Sequence, residues 1–302
     1  MKTQKKNPLI GMGLMMLAMV LVPILDLFAK LLSTDYAVIE ITWARFVFHG
    51  LWLLPLLAWK KIVWWRMPPQ PVHQLLRSFM LTITTVCFFF AIKDNPIPTA
   101  LTLLFISPLI VAVVAPIWLG ESFDALRGLA VAFGFIGVLV VLRPTAESFS
   151  PTILWALVAG VSYAFYIMFT RKLSSSSPPL LTLFYTAVGG VLVLAPFVIS
   201  VWETPDLRGL AMMASMGLFA AMGHFFIIMA CEYATASQLS PFNYFEIVAA
   251  TGISYFVFDF FPDIYVGLGI AIICTSGAYV SWRELQLSKR ARAIQDGRID
   301  IL

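Results

Sequence analysis

Charge is scarce in this sequence. Asp, Glu, Lys and Arg together make up 12% of its 302 residues, which is about half of the share that a soluble globular domain carries. Hydrophobic residues make up 60%, and the mean hydropathy is +0.90. The composition therefore argues against a water-soluble enzyme or binding domain and indicates a chain that lies in a lipid bilayer.

Cysteine is also scarce, and catalytic motifs are missing. The three cysteines, Cys87, Cys231 and Cys274, each lie in an apolar stretch, which is typical of small buried hydrophobic residues and not of disulfides or a metal site. The chain has no P-loop, no G-x-S-x-G elbow, no H-E-x-x-H and no Cys-x-x-Cys. It also lacks the glycine-rich filter sequences and rings of charge that ion channels use. We therefore predict no enzyme activity, no ATP-driven step by this chain alone, no cofactor and no metal.

Long apolar runs are what the sequence has instead. Ten windows are each long enough to cross about 30 Å of hydrocarbon, where a chain must satisfy its backbone within helices. The strict alternation of a membrane β-barrel is missing. The predicted spans are 8–31, 38–58, 75–93, 98–118, 126–142, 152–170, 179–201, 209–231, 238–258 and 264–282. The sequence therefore predicts an all-α, polytopic membrane protein with ten transmembrane helices.

Lys and Arg fall mostly on one side of these spans. With the N-terminus in the cytoplasm, fifteen of them lie in the inside segments, four lie in the outside segments, and Arg45 lies within a span. The positive-inside rule then predicts an inner-membrane protein with both termini in the cytoplasm and a basic cytoplasmic tail at 284–302. Because the basic residues lie at span ends, we attribute the pI near 9 to topology and expect no nucleic-acid partner.

The ten spans form two similar sets of five. Residues 29–33 (AKLLS) end the first span, and residues 170–174 (TRKLS) end the sixth. The second and seventh spans each carry a late proline, Pro55 and Pro196. Since five is an odd number, the two sets must have opposite orientations in the membrane. We therefore predict two inverted five-helix repeats at 8–142 and 151–283, an arrangement in which a solute site lies near the midplane between the halves.

On these features the chain resembles the drug/metabolite transporter superfamily, with two EamA-type five-helix repeats. The resemblance covers 8–283 and is carried by the span count, the half-repeats, Ser107-Pro108 and 119–121 (LGE) in the fourth span, and Gly128 with Gly137 in the fifth. Residues 27–30 (LFAK) and 40–49 (EITWARFVFH) are similar to the riboflavin-transporter branch. The resemblance implies a secondary transporter that works by alternating access. Its cavity is then formed mainly by spans one, two, three, four, six, eight and nine.

Asp26 lies deep in the first span, with Lys30 one helical turn later on the same face. One interpretation is a structural ion pair near the outer end of the helix. The other is that Asp26 lines the central cavity, where it binds a polar group of the solute or titrates during transport. Ionisable residues within spans usually face a cavity or a partner, so the sequence leaves both interpretations open.

Arg45 lies about a third of the way into the second span, close to Trp43 and one turn before His49. Arg keeps its charge, so it needs an anion, a carboxylate or a water-filled pocket. The candidate protein partners are Glu40, Asp26 and Glu246. A structural tether to a carboxylate is one explanation. Solute binding is the other, since a guanidinium flanked by aromatic rings suits an aromatic or anionic solute, and we include Trp43, Arg45 and His49 in the candidate site.

The ninth span is the most polar, since residues 237–246 read SQLSPFNYFE. Its candidate solute-binding residues are Gln238, Asn243, Tyr244 and Glu246. Pro241 frees backbone carbonyls in the middle of this segment. The alternative role for these side chains is hydrogen bonding between helices. Glu246 is also a candidate for proton coupling, because a buried glutamate can carry a proton.

Aromatic residues supply a further kind of candidate. Most of them must pack or face lipid, but some can stack on a flat ring, and we include Tyr166 of the sixth span in the candidate site. His224 in the eighth span is a weaker candidate, because a single histidine is more often a hydrogen-bonded packing residue.

These residues and the resemblance together predict a small organic solute that is at least partly aromatic, with riboflavin as the first named candidate. An exporter of amino acids or related metabolites is the alternative within transport. A non-transporting membrane enzyme or scaffold is the alternative of another class. The expected partners are the solute and the lipid bilayer, and a homodimer is left open.

Overall fold

The computed structural model describes residues 7–65, 68–95, 97–120, 124–143, 152, 154–174, 176–258 and 263–295. Within these ranges the chain is helical and has no β-strand. The N-terminal lysines and Glu121, both used above, lie outside the described residues. The helices are α1 (Pro8–Leu32), α2 (Val38–Trp59), α3 (Pro71–Asp94), α4 (Ile97–Leu104), α5 (Ile106–Leu119), α6 (Ala125–Leu142), α7 (Leu154–Leu173), α8 (Pro179–Val198), α9 (Leu207–Tyr233), α10 (Ala236–Leu239), a 3₁₀ segment (Ser240–Tyr244), α11 (Phe245–Phe258) and α12 (Ile264–Gln295).

Six of the described helices are long and apolar enough to cross a membrane, namely α1, α2, α3, α7, α8 and α9. Shorter apolar helical stretches follow at 106–119, 125–140 and 264–280. The predicted fourth span is divided between α4 and α5, and the predicted ninth span between α10, the 3₁₀ segment and α11. The all-α, polytopic fold class predicted from the sequence is confirmed.

The main helix contacts join the two halves of the chain. Four of the five most extensive contacts between the described helices are α1 with α9, α3 with α7, α2 with α8, and α6 with α12. Counted as spans, these pairs are one with eight, three with six, two with seven, and five with ten. If each span is replaced by its counterpart in the other half, the pair of spans one and eight becomes the pair six and three. The pairs two with seven and five with ten are unchanged. The packing therefore has the two-fold character that inverted repeats produce.

Small residues allow some of these helices to approach closely. A Cβ added to Gly137 in α6 would lie 2.9 Å from the Gly269 carbonyl oxygen of α12, and one added to Gly190 in α8 would lie 2.4 Å from the Phe46 ring of α2. Such contacts supply much of the packing energy in membranes, where helices gain little from hydrophobic burial. Of the other glycines in spans five and ten, Gly128 and Gly267 face open space, so only part of this set is explained by close packing.

Candidate functional site

A buried cavity of about 50 Å³ lies where the two halves meet. Its polar lining consists of Asp26, Arg45, Thr84, Thr85, Tyr163, His224 and Glu246. Phe88, Phe89 and Leu104 contribute to the apolar part of the wall. These residues come from α1, α2, α3, α4, α7, α9 and α11. The walls therefore belong to the same seven spans that the resemblance implied.

Two of these walls are formed at breaks in helices. Leu104 is the last residue of α4, and Glu246 lies in the first turn of α11, directly after the 3₁₀ segment. The two breaks occur in the fourth spans of their respective halves. A break leaves backbone groups outside the regular hydrogen-bond ladder, which lipid does not tolerate and a polar cavity does. Paired broken helices at midplane are where transporters of inverted-repeat architecture bind their solutes.

Asp26 and Glu246 form a pair of carboxyl groups in this cavity. They lie within hydrogen-bond reach of each other, although one belongs to α1 and the other to α11. Two carboxyl groups can be hydrogen-bonded only if one of them carries a proton. Both side chains are almost completely buried. The pair therefore places two adjacent acidic groups on one side of the cavity.

Of the two interpretations of Asp26, the structural ion pair with Lys30 is not the one that the structure shows. The Lys30 ammonium group donates to the carbonyl oxygens of Ile92 at 2.5 Å and of Lys93 at 2.9 Å. These carbonyls end α3, where unpaired oxygens and the helix dipole attract a cation. Lys30 therefore caps the C-terminus of α3. Asp26, one turn deeper in α1, faces the cavity.

Arg45 reaches the cavity from α2 without an acidic partner. Its Nη1 donates to Thr85 Oγ1 at 2.8 Å and its Nη2 donates to His224 Nε2 at 2.6 Å. Among the described residues, no carboxylate lies within 4.0 Å of this guanidinium, although Asp26 is near enough to interact with it electrostatically. Its Nε also has no hydrogen-bond partner there. Arg45 therefore keeps donor capacity for a ligand.

The expected tether between Arg45 and Glu40 is absent from the described structure. The Glu40 carboxylate accepts a hydrogen bond from the Glu203 backbone N–H at 3.1 Å instead. Residues 40 and 45 are five positions apart, which places their side chains about 140° apart around a helix. The structural explanation of Arg45 through Glu40 is therefore wrong.

Two histidines lie behind Arg45. Because Arg45 can only donate, His224 Nε2 must accept, and the other ring nitrogen then carries the hydrogen. This Nδ1 lies 3.0 Å from the Tyr166 hydroxyl, so His224 is a neutral imidazole that donates to Tyr166. His49 is stacked against His224, with ring centroids 6.3 Å apart, and neither of its nitrogens has a partner among the described residues. His224, only a weak candidate from the sequence, is therefore central to the site.

Six of the nine candidates from the sequence do not line the cavity. His49 and Tyr166 lie next to His224, outside the lining, and the other four lie elsewhere. Trp43 packs edge-on against Trp202, with centroids 5.7 Å apart, and Gln238 forms a capping box with Thr235 at the start of α10. Asn243 and Tyr244 are buried in the 3₁₀ segment, and their side-chain polar atoms have no partner among the described residues. The structure therefore brings together Asp26, Arg45 and Glu246, with His49 and Tyr166 behind them.

Arg77 is a functional candidate that the sequence analysis missed. It was counted among the basic residues of an inside segment, but it lies within α3 and is completely buried. Its guanidinium donates to Thr170, Thr182, Thr186 and Tyr166. Two features of the sequence could have indicated a buried position for Arg77. It lies six residues inside the helix, and spans six and seven carry threonines that can accept hydrogen bonds from it.

Comparison with known proteins assigns a family to this fold. The EamA-like transporter family matches residues 9–143 and again residues 150–282. The chain belongs to this family. It is therefore a multi-pass membrane transporter of a small solute, and its resemblance to the drug/metabolite transporter superfamily is confirmed.

Relatives within this group carry different solute names. An S-adenosylmethionine uptake transporter of Rickettsia conorii is 28% identical over 292 residues, which cover 96% of this transporter and 98% of the relative. A riboflavin transporter of Vibrio cholerae is 29% identical over 226 residues, which cover 73% and 74% of the two chains. A solved crystal structure that is 17% identical shares the fold, with a TM-score of 0.76 over 92% of this transporter and 98% of that chain.

Proposed function

We propose that this protein is a secondary transporter of a zwitterionic, amino-acid-type metabolite that carries an aromatic group, with S-adenosylmethionine as the first solute to test. One observation carries the proposal: the same cavity contains an arginine that has no carboxylate within 4.0 Å among the described residues and, in addition, a pair of carboxyl groups. A solute that bears both a carboxylate and an ammonium group complements these two features at once.

The cavity offers a separate position for each part of such a solute. The Arg45 guanidinium, with its free Nε, suits a carboxylate, because its planar fork matches two carboxylate oxygens. The Asp26–Glu246 pair suits an ammonium or sulfonium group. Phe88, Phe89 and Tyr163 offer rings on which an adenine can stack. S-adenosylmethionine contains all of these groups, and the similarity to uptake transporters of that name covers nearly the whole chain.

Transport by alternating access is supported by the size of the cavity. About 50 Å³ holds one or two water molecules, whereas drug-sized organic ligands occupy pockets of about 300 Å³ or more. The walls must therefore separate before a metabolite enters. Because the cavity lies between the two halves, movement of one half against the other opens it in turn to each side. The distribution of Lys and Arg favours an inner-membrane location with both termini in the cytoplasm.

Riboflavin, the first candidate from the sequence, is the second candidate here. The aromatic part of the cavity wall and the similarity to riboflavin transporters favour it. A neutral flavin with its sugar chain has no carboxylate for Arg45 and no ammonium group for the acid pair. Binding it would leave both of these buried groups without a charged partner, which is unfavourable.

Ligand-induced thermal stabilisation of the purified protein tests the proposal. We expect S-adenosylmethionine to raise Tm. In Arg45→Gln, and in the double variant Asp26→Asn with Glu246→Gln, the ligand concentration needed for the same rise in Tm should be at least tenfold higher. Lys172→Gln is the matched control, because Lys172 lies outside the cavity, over the Trp118 ring, and should leave binding unchanged. Stabilisation by riboflavin alone would favour the second candidate and overturn the first.

A further inference from the structure

Arg77 is a second buried arginine that no carboxylate neutralises within the described part of the chain. Every oxygen that it binds is neutral. Its Nε donates to Thr170 Oγ1 at 2.7 Å, its Nη2 donates to Tyr166 Oη at 3.0 Å, and its Nη1 donates to the Thr182 carbonyl at 3.2 Å and to Thr186 Oγ1. Its guanidinium also lies over the Tyr166 ring. Burying a cation without a counter-charge is unfavourable even when hydrogen bonds are complete, so packing alone does not account for this residue.

A continuous chain of hydrogen bonds joins Arg77 to Arg45. Arg45 donates to His224, His224 donates to Tyr166, and Tyr166 also accepts from Arg77. One imidazole and one phenol therefore separate the two guanidinium groups. Since the Tyr166 oxygen accepts twice, its own hydrogen is available to an incoming acceptor. A carboxylate that leaves Arg45 would meet this hydroxyl and then the second guanidinium.

Around Arg77, α3 makes further polar contacts with α8 and with the loop that precedes α8. Gln74 donates to Ser177 Oγ at 3.2 Å and to Thr182 Oγ1 at 3.1 Å. One turn further along α3, Ser78 donates to the Tyr185 carbonyl at 3.0 Å and packs so closely on α8 that a Cβ at Gly189 would lie 2.5 Å from its own Cβ. This contact is closed in the present structure. Water can replace the hydroxyl partners when the helices separate, so opening costs less here than in an apolar contact.

We propose that Arg77 is a second anion-binding station on the transport pathway, which the carboxylate of the solute reaches after it leaves Arg45, and that the hydroxyl-rich contact of α3 with α7 and α8 is the gate beyond it. This inference rests on the proposed function. It adds a binding residue and a route, since the gate lies at the end of the bundle where α2 ends and α3 begins. The Lys and Arg distribution predicts that this end faces the cytoplasm.

The test separates binding from flux. Labelled S-adenosylmethionine flux in proteoliposomes and ligand-induced thermal stabilisation are measured for Arg77→Gln, Arg77→Lys, Arg45→Gln and the control Lys172→Gln. Arg77→Gln should keep the thermal stabilisation and lose at least tenfold in flux, whereas Arg45→Gln should lose both. Arg77→Lys keeps the charge but loses the planar guanidinium. Its flux should lie between that of Arg77→Gln and that of the unmodified protein. Unchanged flux in Arg77→Gln, or an equal loss of binding and flux, would overturn the second station.

A labelling experiment tests the gate without any solute. A single cysteine is introduced by Ser177→Cys after Cys87, Cys231 and Cys274 are replaced by alanine, and its reaction with a membrane-impermeant maleimide is timed. Adding Arg77→Gln removes the bonds that hold α3 to α7 and α8, so labelling should become about tenfold faster, and Lys172→Gln should not change it. If the unmodified protein shows no S-adenosylmethionine binding or flux, the proposed function fails. The labelling rate at position 177 then still tests whether α3, α7 and α8 form a gate. An unchanged rate would overturn the gate.

Discussion

Arg45 and Arg77 are buried arginines whose hydrogen-bond partners among the described residues are all neutral, and they are the main basis for the proposed solute and its route. Arginine within a membrane span is rare, because its charge cannot be removed by deprotonation. In most buried sites an acidic side chain neutralises it, but the oxygens and nitrogen that bind these two guanidinium groups are neutral. The proposed solute brings its own carboxylate, which would balance these charges during transport. On this account the two residues serve to bind solute and not to stabilise the fold.

The role of Arg45 gives a prediction that combines a protein change with a ligand change. Arg45→Lys keeps the charge but loses the planar guanidinium, and with it one of the two hydrogen bonds to the carboxylate. One such charge-assisted hydrogen bond contributes about 1.5–3 kcal/mol to binding. We expect the affinity for S-adenosylmethionine, measured by competition binding, to fall by about tenfold or more. The decarboxylated analogue has no group for Arg45, so its weaker binding should change little in Arg45→Lys. Equal losses for both ligands would show that Arg45 does not bind the carboxylate.

The acid pair gives the complementary prediction. Asp26→Asn combined with Glu246→Gln keeps the shape of the pair but removes both acidic groups that face the cavity. We expect it to weaken binding of S-adenosylmethionine at least tenfold, measured by calorimetry, and to leave the weaker binding of an analogue without the α-amino group less affected. The control Thr251→Val removes a hydroxyl that bonds within its own helix and should bind both ligands normally. An equal loss of affinity for both ligands in the double variant would refute the assignment of the ammonium group to this pair.

At the scale of the helices, close contacts between the halves hold the bundle together. Gly190 of α8 meets the Phe46 ring of α2, whereas Gly13 of α1 has no neighbour within 4 Å of an added Cβ. Gly190→Ala should therefore destabilise the protein by about 1–3 kcal/mol, because overpacking outweighs the better helix propensity of alanine. Gly13→Ala gains the same propensity without the clash and should be neutral or stabilising. Thermal unfolding in one detergent compares the two, and equal shifts in Tm would contradict the close α2–α8 contact.

The N-terminus of α6 is joined to α12 by an ion pair outside the spans. Asp124 caps α6 and accepts from Arg283 Nε at 3.0 Å. Burial acts to raise the pKa of Asp124, but the hydrogen bonds from Arg283 and the Arg127 backbone N–H outweigh it and hold the pKa below its usual value of 3.8. A carboxyl group whose folded pKa is depressed stabilises the protein above its unfolded pKa and loses this contribution as the pH falls through the folded value.

The pH dependence of Tm checks this pair. Tm should fall below about pH 4, and Asp124→Asn should lower Tm at pH 7 and remove that part of the fall. Asp263, whose backbone partners and Arg143 also hold its pKa low, caps α12 in an exposed ion pair. Because solvent screens exposed pairs, Asp263→Asn should change Tm less. A larger effect at Asp263 would contradict the ranking by burial.

Periodicity and hydropathy were enough to predict the elements but not their mutual rotations. The ten apolar windows predicted the spans, because each helix must cover the hydrocarbon with its own residues. The site was predicted less well, since two positions on one helix differ by about 100° per residue. Arg45 and Trp43 are two residues apart and therefore face different neighbours. Glu246 and Asp26 meet only because α1 packs on α11, and no local pattern reveals that contact.

Arg77 was missed for a different physical reason. A long basic side chain near a helix end usually extends to the membrane surface, so the sequence favoured an exposed position. The threonines that bind it lie about a hundred residues further along the chain, and single hydroxyl groups in apolar helices carry no specific signal. The same holds for Gln238, which appears polar and free in the sequence but caps its own helix.

At the scale of the whole molecule, the structure has a small central cavity between two halves related by an approximate two-fold exchange. Such a protein must open to bind, and the proposed gate at α3, α7 and α8 suggests where one opening occurs. The EamA-like family and the repeated match along the chain agree with a transporter of this design. Relatives of this chain carry different solute names, and the charges of the cavity are the part of the structure that bears on the solute of this chain.

The central claim is that the cavity binds a zwitterion through Arg45 and the Asp26–Glu246 pair and carries it across the membrane. Counterflow of labelled S-adenosylmethionine into proteoliposomes preloaded with the unlabelled compound tests it most directly. The account predicts saturable uptake above empty liposomes, which excess unlabelled S-adenosylmethionine abolishes, riboflavin does not, and Arg45→Gln reduces at least tenfold. Counterflow of riboflavin that is insensitive to Arg45→Gln, with no counterflow of S-adenosylmethionine, would contradict it.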